Sequence, residues 1–353
     1  MGYPDTYKGY AAVDKEHWNK MVPYEYKPKE FGDRDIDIEI EYCGVCGSDL
    51  HTLRSGWGPT HYPVVVGHEV IGKAVKVGKD VREIAIGDVV GVGAAAWACG
   101  DCHACNTNNE QYCPELVETY NWKYKEGWFA YGGYADYIRI HEQFVFKIPD
   151  SIPKHLAAPM MCAGLTLYSP LKRGGAGPGV NVGVIGIGGL GHFGLMFAKA
   201  MGAHVTAISH SDSKKADATK MGADKFISTN TEGWDTDSAN VRSIDLLLCT
   251  NYSVDMPLDS YIGLLKVSGT LVIIGIPEGK LPAISAPVLM ASNAAIRGTN
   301  VGSKAEAREM LELASKMNIE PWVTVRPMSQ VNETVTDMHN GKARYRYVLK
   351  AKI

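Results

Sequence analysis

Val182-Gly-Val-Ile-Gly-Ile-Gly-Gly-Leu-Gly191 decides the fold. An apolar β-branched run leads into Gly186-x-Gly188-x-x-Gly191, residues 189–201 have a helical pattern, and His204–Ile208 reads as a second strand. A strand before such a motif and a helix after it are the context that makes it a dinucleotide site. Each glycine has its own task. Gly186 permits the tight turn, Gly188 lets backbone approach a pyrophosphate, and Gly191 lets the helix lie close on the strand. Free amides at the helix start, over Gly189, Leu190 and Gly191, face the phosphates.

The same alternation continues outward. Ser213–Met221 reads as helix, Asp245–Cys249 as strand, Asp259–Leu265 as helix and Thr270–Ile276 as strand. Strands alternating with helices predict a doubly wound parallel sheet. Residues 156–173 read as helical ahead of it. Upstream the texture differs. Residues 34–42 alternate charged and apolar side chains, the pattern of a half-buried antiparallel strand. Val64–Val66, Val70–Val77 and Asp88–Val92 are further β-branched runs, set apart by Gly67, Gly78 and Gly87. To about residue 150 the chain predicts a small β-barrel or sandwich with little helix. An amphipathic helix over 304–318 and a strand over Tyr345–Ala351 close it. The 353 residues suit about two domains.

After the second strand come Ser209-His210-Ser211-Asp212-Ser213-Lys214-Lys215. An NAD site usually places an acid at the strand end to bind the ribose hydroxyls. Here that position is Ser209. Hydroxyls of Ser209 and Ser211 with Lys214 accept a 2′-phosphate, which a carboxylate would repel, so NADP(H) is favoured over NAD(H). Asp212 complicates this, and the plainer reading of Lys214 and Lys215 is a solvated helix start.

There are eight cysteines. Cys99-x2-Cys102-x2-Cys105-x7-Cys113 offers four closely spaced thiolates, which suit a closed, structural tetrahedral zinc. An iron–sulfur cluster is the competitor, and His103 is a spare donor. A second constellation is dispersed. Cys43-Gly-Val-Cys46-Gly-Ser48-Asp49-Leu-His51 is followed by Gly67-His68-Glu69, and Cys162 lies far downstream. Singly, Cys162 reads as a buried small hydrophobe, His68 as a structural histidine, and Cys43-x-x-Cys46 as a redox pair lacking thioredoxin-like surroundings. Spacing alone does not bring Cys162 to Cys46.

Composition excludes other classes. Lys and Arg number 36 against 39 Asp and Glu, leaving no global field for nucleic acid or an anionic membrane. The four-cysteine loop contains no Lys or Arg, so it lacks a nucleic-acid footprint. No apolar run of about 18 residues is present, and the start lacks signal-peptide character, so the expectation is cytoplasmic. Met1-Gly2 with Thr6 formally matches a myristoylation pattern, which Tyr3-Pro4 makes a coincidence.

Taken together, Gly44-Val-Cys46-Gly-Ser-Asp49, Gly67-His68-Glu69, the four-cysteine loop, Gly132-Gly-Tyr134-Ala135, Gly186–Gly191 and Arg344-Tyr-Arg346-Tyr resemble the zinc-containing medium-chain alcohol dehydrogenases. Within them the chain is most similar to the cinnamyl alcohol dehydrogenase branch in its fungal NADP-dependent form. The resemblance implies an α/β protein with a GroES-like β-rich catalytic domain, 1–155 and 296–353, and an inserted Rossmann domain, 156–295. It implies a catalytic zinc on Cys46, His68 and Cys162, a ligand set known for alcohol dehydrogenase, and hence two zincs per chain. Glu69 would be an inner-shell carboxylate, Asp49 the partner orienting His68, and Ser48 and His51 the proton relay. Arg346 would meet the cofactor near its pyrophosphate and Thr166 would lie by the nicotinamide. Trp57 is the candidate substrate contact. The implied reaction interconverts alcohols with aromatic, cinnamaldehyde-like and medium aliphatic aldehydes, and the implied assembly is a homodimer paired near Ala295–Val301. The chain departs from the fungal pattern at His210, where arginine is usual, and at Gly47. Two other readings are a zinc-independent enone or quinone reductase on the same fold, and a non-catalytic NADPH-binding zinc protein.

Overall fold

The computed structural model describes residues 4–352, so Met1 and Gly2 of the acylation pattern lie outside it. The chain divides into two compact units, one formed by residues up to Ala163 together with Ser303 onward, the other by Gly164–Gly302. Both boundaries fall later than the expected 155/156 and 295/296, so Cys162 belongs to the first unit.

In the first unit the strands are, in chain order, Tyr7–Ala11 (β1), Val22–Tyr26 (β2), Asp35–Val45 (β3), Val70–Val77 (β4), Val89–Val92 (β5), Ala95–Trp97 (β6), Val117–Glu118 (β7), Tyr137–His141 (β8) and Val145–Lys147 (β9). The second unit contributes Asn181–Ile185 (β10), His204–Ser209 (β11), Lys225–Ser228 (β12), Ile244–Cys249 (β13), Leu265–Ile273 (β14) and Ala295–Gly298 (β15). Val323–Pro327 (β16) and Arg346–Lys350 (β17) return to the first unit.

The main sheet of the first unit runs β16-β17-β3-β4-β5-β9, with β8 also paired to β3. Its long central strand, β3, departs from the half-buried expectation. Asp35 and Asp37 are as buried as Ile36 and Ile38. The reason lies across the ladder on β8, where Arg139 forks onto Asp37 with Nε–Oδ1 2.6 Å and Nη2–Oδ2 2.9 Å. A buried carboxylate tolerates burial when it is paired and hydrogen-bonded in this way. Val64–Val66 forms no strand, since only Val64 makes an isolated bridge, to Ala12. A short helix that the sequence did not announce, Gly47–Leu53 (α1), follows β3.

The second unit is a six-stranded, all-parallel sheet in the order β12-β11-β10-β13-β14-β15. The order reverses between β10 and β13, and a doubly wound sheet binds its ligand outside the strand ends at such a switch point. β15 is an edge strand. No helix among the described residues is long and apolar enough to cross a membrane.

Candidate active site

The site in the first unit is built around α1. Cys46 is the N-cap of this helix, in extended backbone, and Asp49 turns back to accept the Cys46 N–H at 2.9 Å. Asp49 also accepts the Gly67 N–H at 3.1 Å, His68 Nδ1–H at 3.0 Å and the Tyr134 hydroxyl at 3.0 Å. Four donors therefore converge on one fully buried carboxylate. With Nδ1 engaged, His68 has Nε2 left for coordination, which is how a carboxylate orients a metal-ligating histidine.

One donor atom each from Cys46, His68, Glu69 and Cys162 lie within 4.8 Å of one another, and all four side chains are buried. Cys162 reaches the cluster because the helical turns Lys154–Ala157 and Ala158–Met161 cross against the sheet. A Cβ on Gly91 of β5, or on Gly93 just beyond its end, would collide with Met161, so small residues there admit the crossing. Gly44 does the same for Glu69, because a Cβ at this strand position would overlap the carboxylate.

Electrostatics fit a dication. The hydrogen bond from Cys162 holds the Cys46 thiol well below its usual pKa, against the effect of burial, and His68 adds to it. Cys162 moves the opposite way, through that same hydrogen bond and burial. Two adjacent buried sulfurs that favour a thiolate on one of them suit a bound cation, since metal binding displaces thiol protons. Burial pushes Glu69 up to about 7, although the Arg346 guanidinium opposes it. Arg346 is itself buried and pairs with Glu69 Oε1, while Glu69 Oε2 and Arg346 Nε have no hydrogen-bond partner among the described residues. Two thiolates, an oriented imidazole and a carboxylate oxygen with spare capacity fit a catalytic zinc, whose site keeps one position open.

The Arg346 side chain, expected near the pyrophosphate, also holds Glu69. Ser48 Oγ is 3.7 Å from Cys46 Sγ. His51 follows Ser48 by three positions on α1, so the two share a helix face. The Trp57 indole stacks on the His51 ring, with centroids 4.6 Å apart and planes at 20°. Three contributors had not been assigned these roles from sequence: Gly44, Tyr134 and Tyr120, whose ring lies 5.5 Å from that of His68. A glycine inside a strand signals close approach, so Gly44 was open to discovery. The two tyrosines carried no such mark.

Cys99, Cys102, Cys105 and Cys113 form a second convergent set, again within 4.8 Å of one another. All four are free thiols, with Cys99 Sγ 3.5 Å from Cys113 Sγ and 3.9 Å from Cys105 Sγ. His103 is not part of the set. A closed four-sulfur cluster fits structural zinc and leaves no place for substrate.

In the second unit the glycine loop has the geometry its motif demands. Gly186 has φ +84°, a left-handed conformation that suits glycine, and a Cβ there would press on Asn251. A Cβ on Gly191 would overlap the Gly186 carbonyl oxygen, whereas Gly188 faces open space. Thr250 Oγ1 donates to the Ile185 and Gly186 carbonyls at 2.9 and 2.8 Å, pinning the turn. Ser209 ends β11 and is buried, while His210 is exposed. Ser211 Oγ and Ser213 Oγ are 2.8 Å apart. Lys214 Nζ donates to the Ile187 carbonyl at 2.6 Å, which ties the ammonium to the glycine loop. The Lys214 side chain is therefore anchored beside the loop and not freely solvated. Thr166 is mostly buried, on the helix Ala163–Arg173.

The chain is similar to known proteins over nearly its whole length. Residues 32–150 match the alcohol dehydrogenase GroES-like domain, and residues 189–316 match the zinc-binding dehydrogenase family. NADP-dependent alcohol dehydrogenase 6 of Saccharomyces cerevisiae is 42% identical, covering 99% of this chain and 98% of its own. A cinnamyl alcohol dehydrogenase structure from Sorghum bicolor superposes with TM-score 0.92 at 35% identity, covering 98% of this chain and 97% of its own. The Helicobacter pylori enzyme complexed with NADP(H) gives 0.90 at 32% identity, covering 98% of each chain.

Proposed function

Because this chain belongs to the zinc-containing medium-chain alcohol dehydrogenases, in their cinnamyl alcohol dehydrogenase branch, we propose that it interconverts aldehydes and alcohols with NADP(H), taking cinnamaldehyde-like aromatic and medium-chain aliphatic substrates. The observation that carries this is the buried convergence of Cys46, His68, Glu69 and Cys162 around the Asp49-oriented imidazole. A zinc-independent enone reductase needs none of these donors, and a sensor has no use for Ser48 and His51 beside them.

Cys46, His68 and Cys162 would hold the catalytic zinc, and Cys99, Cys102, Cys105 and Cys113 the structural one. When bound, the catalytic zinc supplies Lewis acidity toward the substrate oxygen, and NADPH supplies the hydride. The residues do the rest. Asp49 fixes the ring of His68. Glu69, its charge offset by Arg346, stands by the ligands as an inner-shell carboxylate. Ser48 gives a proton to the developing alkoxide during reduction and takes it back during oxidation, and His51 exchanges that proton with solvent. Gly186, Gly188, Gly189, Leu190 and Gly191 receive the pyrophosphate. Thr166 serves the nicotinamide end, and Ser209, His210, Ser211 and Lys214 receive the 2′-phosphate. The edge position of β15 supports a homodimer joined through that strand, in keeping with a cytoplasmic enzyme.

The test is zinc content per chain with NADPH and NADH oxidation on cinnamaldehyde. Two zincs and NADPH-preferring turnover are expected, and one zinc without aldehyde turnover on either cofactor would overturn the reading. Two substitutions probe its parts. Ser48→Ala should lower turnover about 10²- to 10⁴-fold with zinc content and NADPH binding intact. Lys214→Ala should raise the KM for NADPH roughly ten- to a hundredfold, the worth of a hydrogen bond to a charged group, and leave that for NADH unchanged.

A further inference from the structure

The loop after α1 is fastened to the helix it leaves. Three successive carbonyls at the end of α1 accept from it. The Gly56 N–H reaches His51 O at 2.7 Å, while the Ser55 N–H and Thr60 Oγ1 reach Thr52 O at 3.0 and 2.7 Å. The Tyr62 hydroxyl reaches Leu53 O at 2.7 Å and lies 3.1 Å from Ser55 Oγ. Ser55 at φ +54° and Gly58 at φ +128° make the sharp reversal. The segment between them can therefore lie back over the helix, and it carries Trp57 onto the face of His51. Trp57 remains 41% exposed, so hydrophobic burial alone does not account for its place.

We propose that Trp57 is a positioning residue for the proton relay, acting through His51. A near-parallel stack restrains rotation of the imidazole about its terminal torsion. It confines both ring nitrogens to one plane, so they meet their proton partners edge-on. The stack thereby removes orientational freedom that proton transfer would otherwise have to overcome. The proton balance is unchanged: Ser48 loses one proton to the product alkoxide in reduction, and His51 returns one drawn from solvent. The inference rests on the relay reading above, and it gives Trp57 a task separate from lining a substrate pocket.

The experiment uses the zinc-loaded enzyme and a double-mutant cycle over His51→Ala and Trp57→Ala, with kcat and KM measured on one small and one bulky aldehyde. Trp57→Ala should lower kcat roughly tenfold on both aldehydes and change KM less than about twofold. Trp57→Phe, which keeps a ring to stack, should regain most of the rate, whereas Trp57→Leu should not. In the His51→Ala background the second substitution should cost nothing more. An undiminished effect of Trp57→Ala in that background overturns the inference. So does a KM rise confined to the bulky aldehyde, which makes Trp57 a pocket wall. If His51→Ala alone leaves kcat unchanged, the relay reading itself falls. If Trp57→Ala fails to fold, the Phe and Leu pair decides in its place.

Discussion

Cys46→Ala is expected to reduce the zinc content from two per chain to one and turnover by on the order of 10⁴-fold, the several kcal/mol that a Lewis acid contributes. The expectation rests on how few donors the site has. Cys46, His68 and Cys162 are the minimum for a catalytic zinc, and Glu69 already spends one oxygen on Arg346. The fold should survive. The Cys46 backbone N–H still reaches Asp49, and Asp49 keeps its donors from Gly67, His68 and Tyr134. Metal analysis, kinetics and a thermal melt check this together. Retention of both zincs, or a rate within about tenfold of the parent, would remove Cys46 from the ligand set.

Cys113→Ala is expected to give the mirror image. It also leaves one zinc per chain, but the loss appears in stability. Cys99, Cys102 and Cys105 sit on a stretch with one four-residue helix, His103–Asn106, and a single turn, Glu110–Tyr112. So little regular structure cannot hold the loop unaided, and metal binding to such sites is worth about 10–16 kcal/mol in isolated peptides. Much of that is recovered by local unfolding, so a drop of several kcal/mol and an early melting transition are the expected outcome. Limited proteolysis should cut first between β6 and β7, while activity at low temperature persists. Equal melting of variant and parent would show that the four sulfurs hold no structural ion. The two variants share a zinc count and differ in everything else, which separates the two sites without a structure of either.

These expectations draw unequally on sequence. The dinucleotide loop was legible because its physics is local: Gly186, Gly188 and Gly191 act within six residues of one another. The four-cysteine set was legible for the same reason. The buried group of Cys46, His68, Glu69 and Cys162 was not readable from spacing, since Cys162 reaches it through tertiary packing, with the turn at Met161 close against Gly91 and Gly93. Family resemblance, and not periodicity, named it in advance. Asp37 misled the reading of β3, because its partner Arg139 lies 102 residues away and alternation carries no information about what covers the charged face. α1 escaped notice because seven residues hold less than two full turns of periodicity, and its start is marked by the thiol of Cys46 in place of a usual capping residue. Arg346 also pairs with Glu69, a contact that neither spacing nor the resemblance announced.

That last ion pair spans 277 residues of chain. During synthesis Glu69 and its strand neighbours leave the ribosome well before β17, which pairs with β3 and carries Arg346. The second unit is contiguous and is made in the interval, so it is free to fold first, on its own. The first unit must wait, with its sheet lacking β16 and β17 and Glu69 lacking its counter-charge. The Glu69–Arg346 pair therefore forms only after the second unit has been synthesised, and the carboxylate waits until then for its counter-charge.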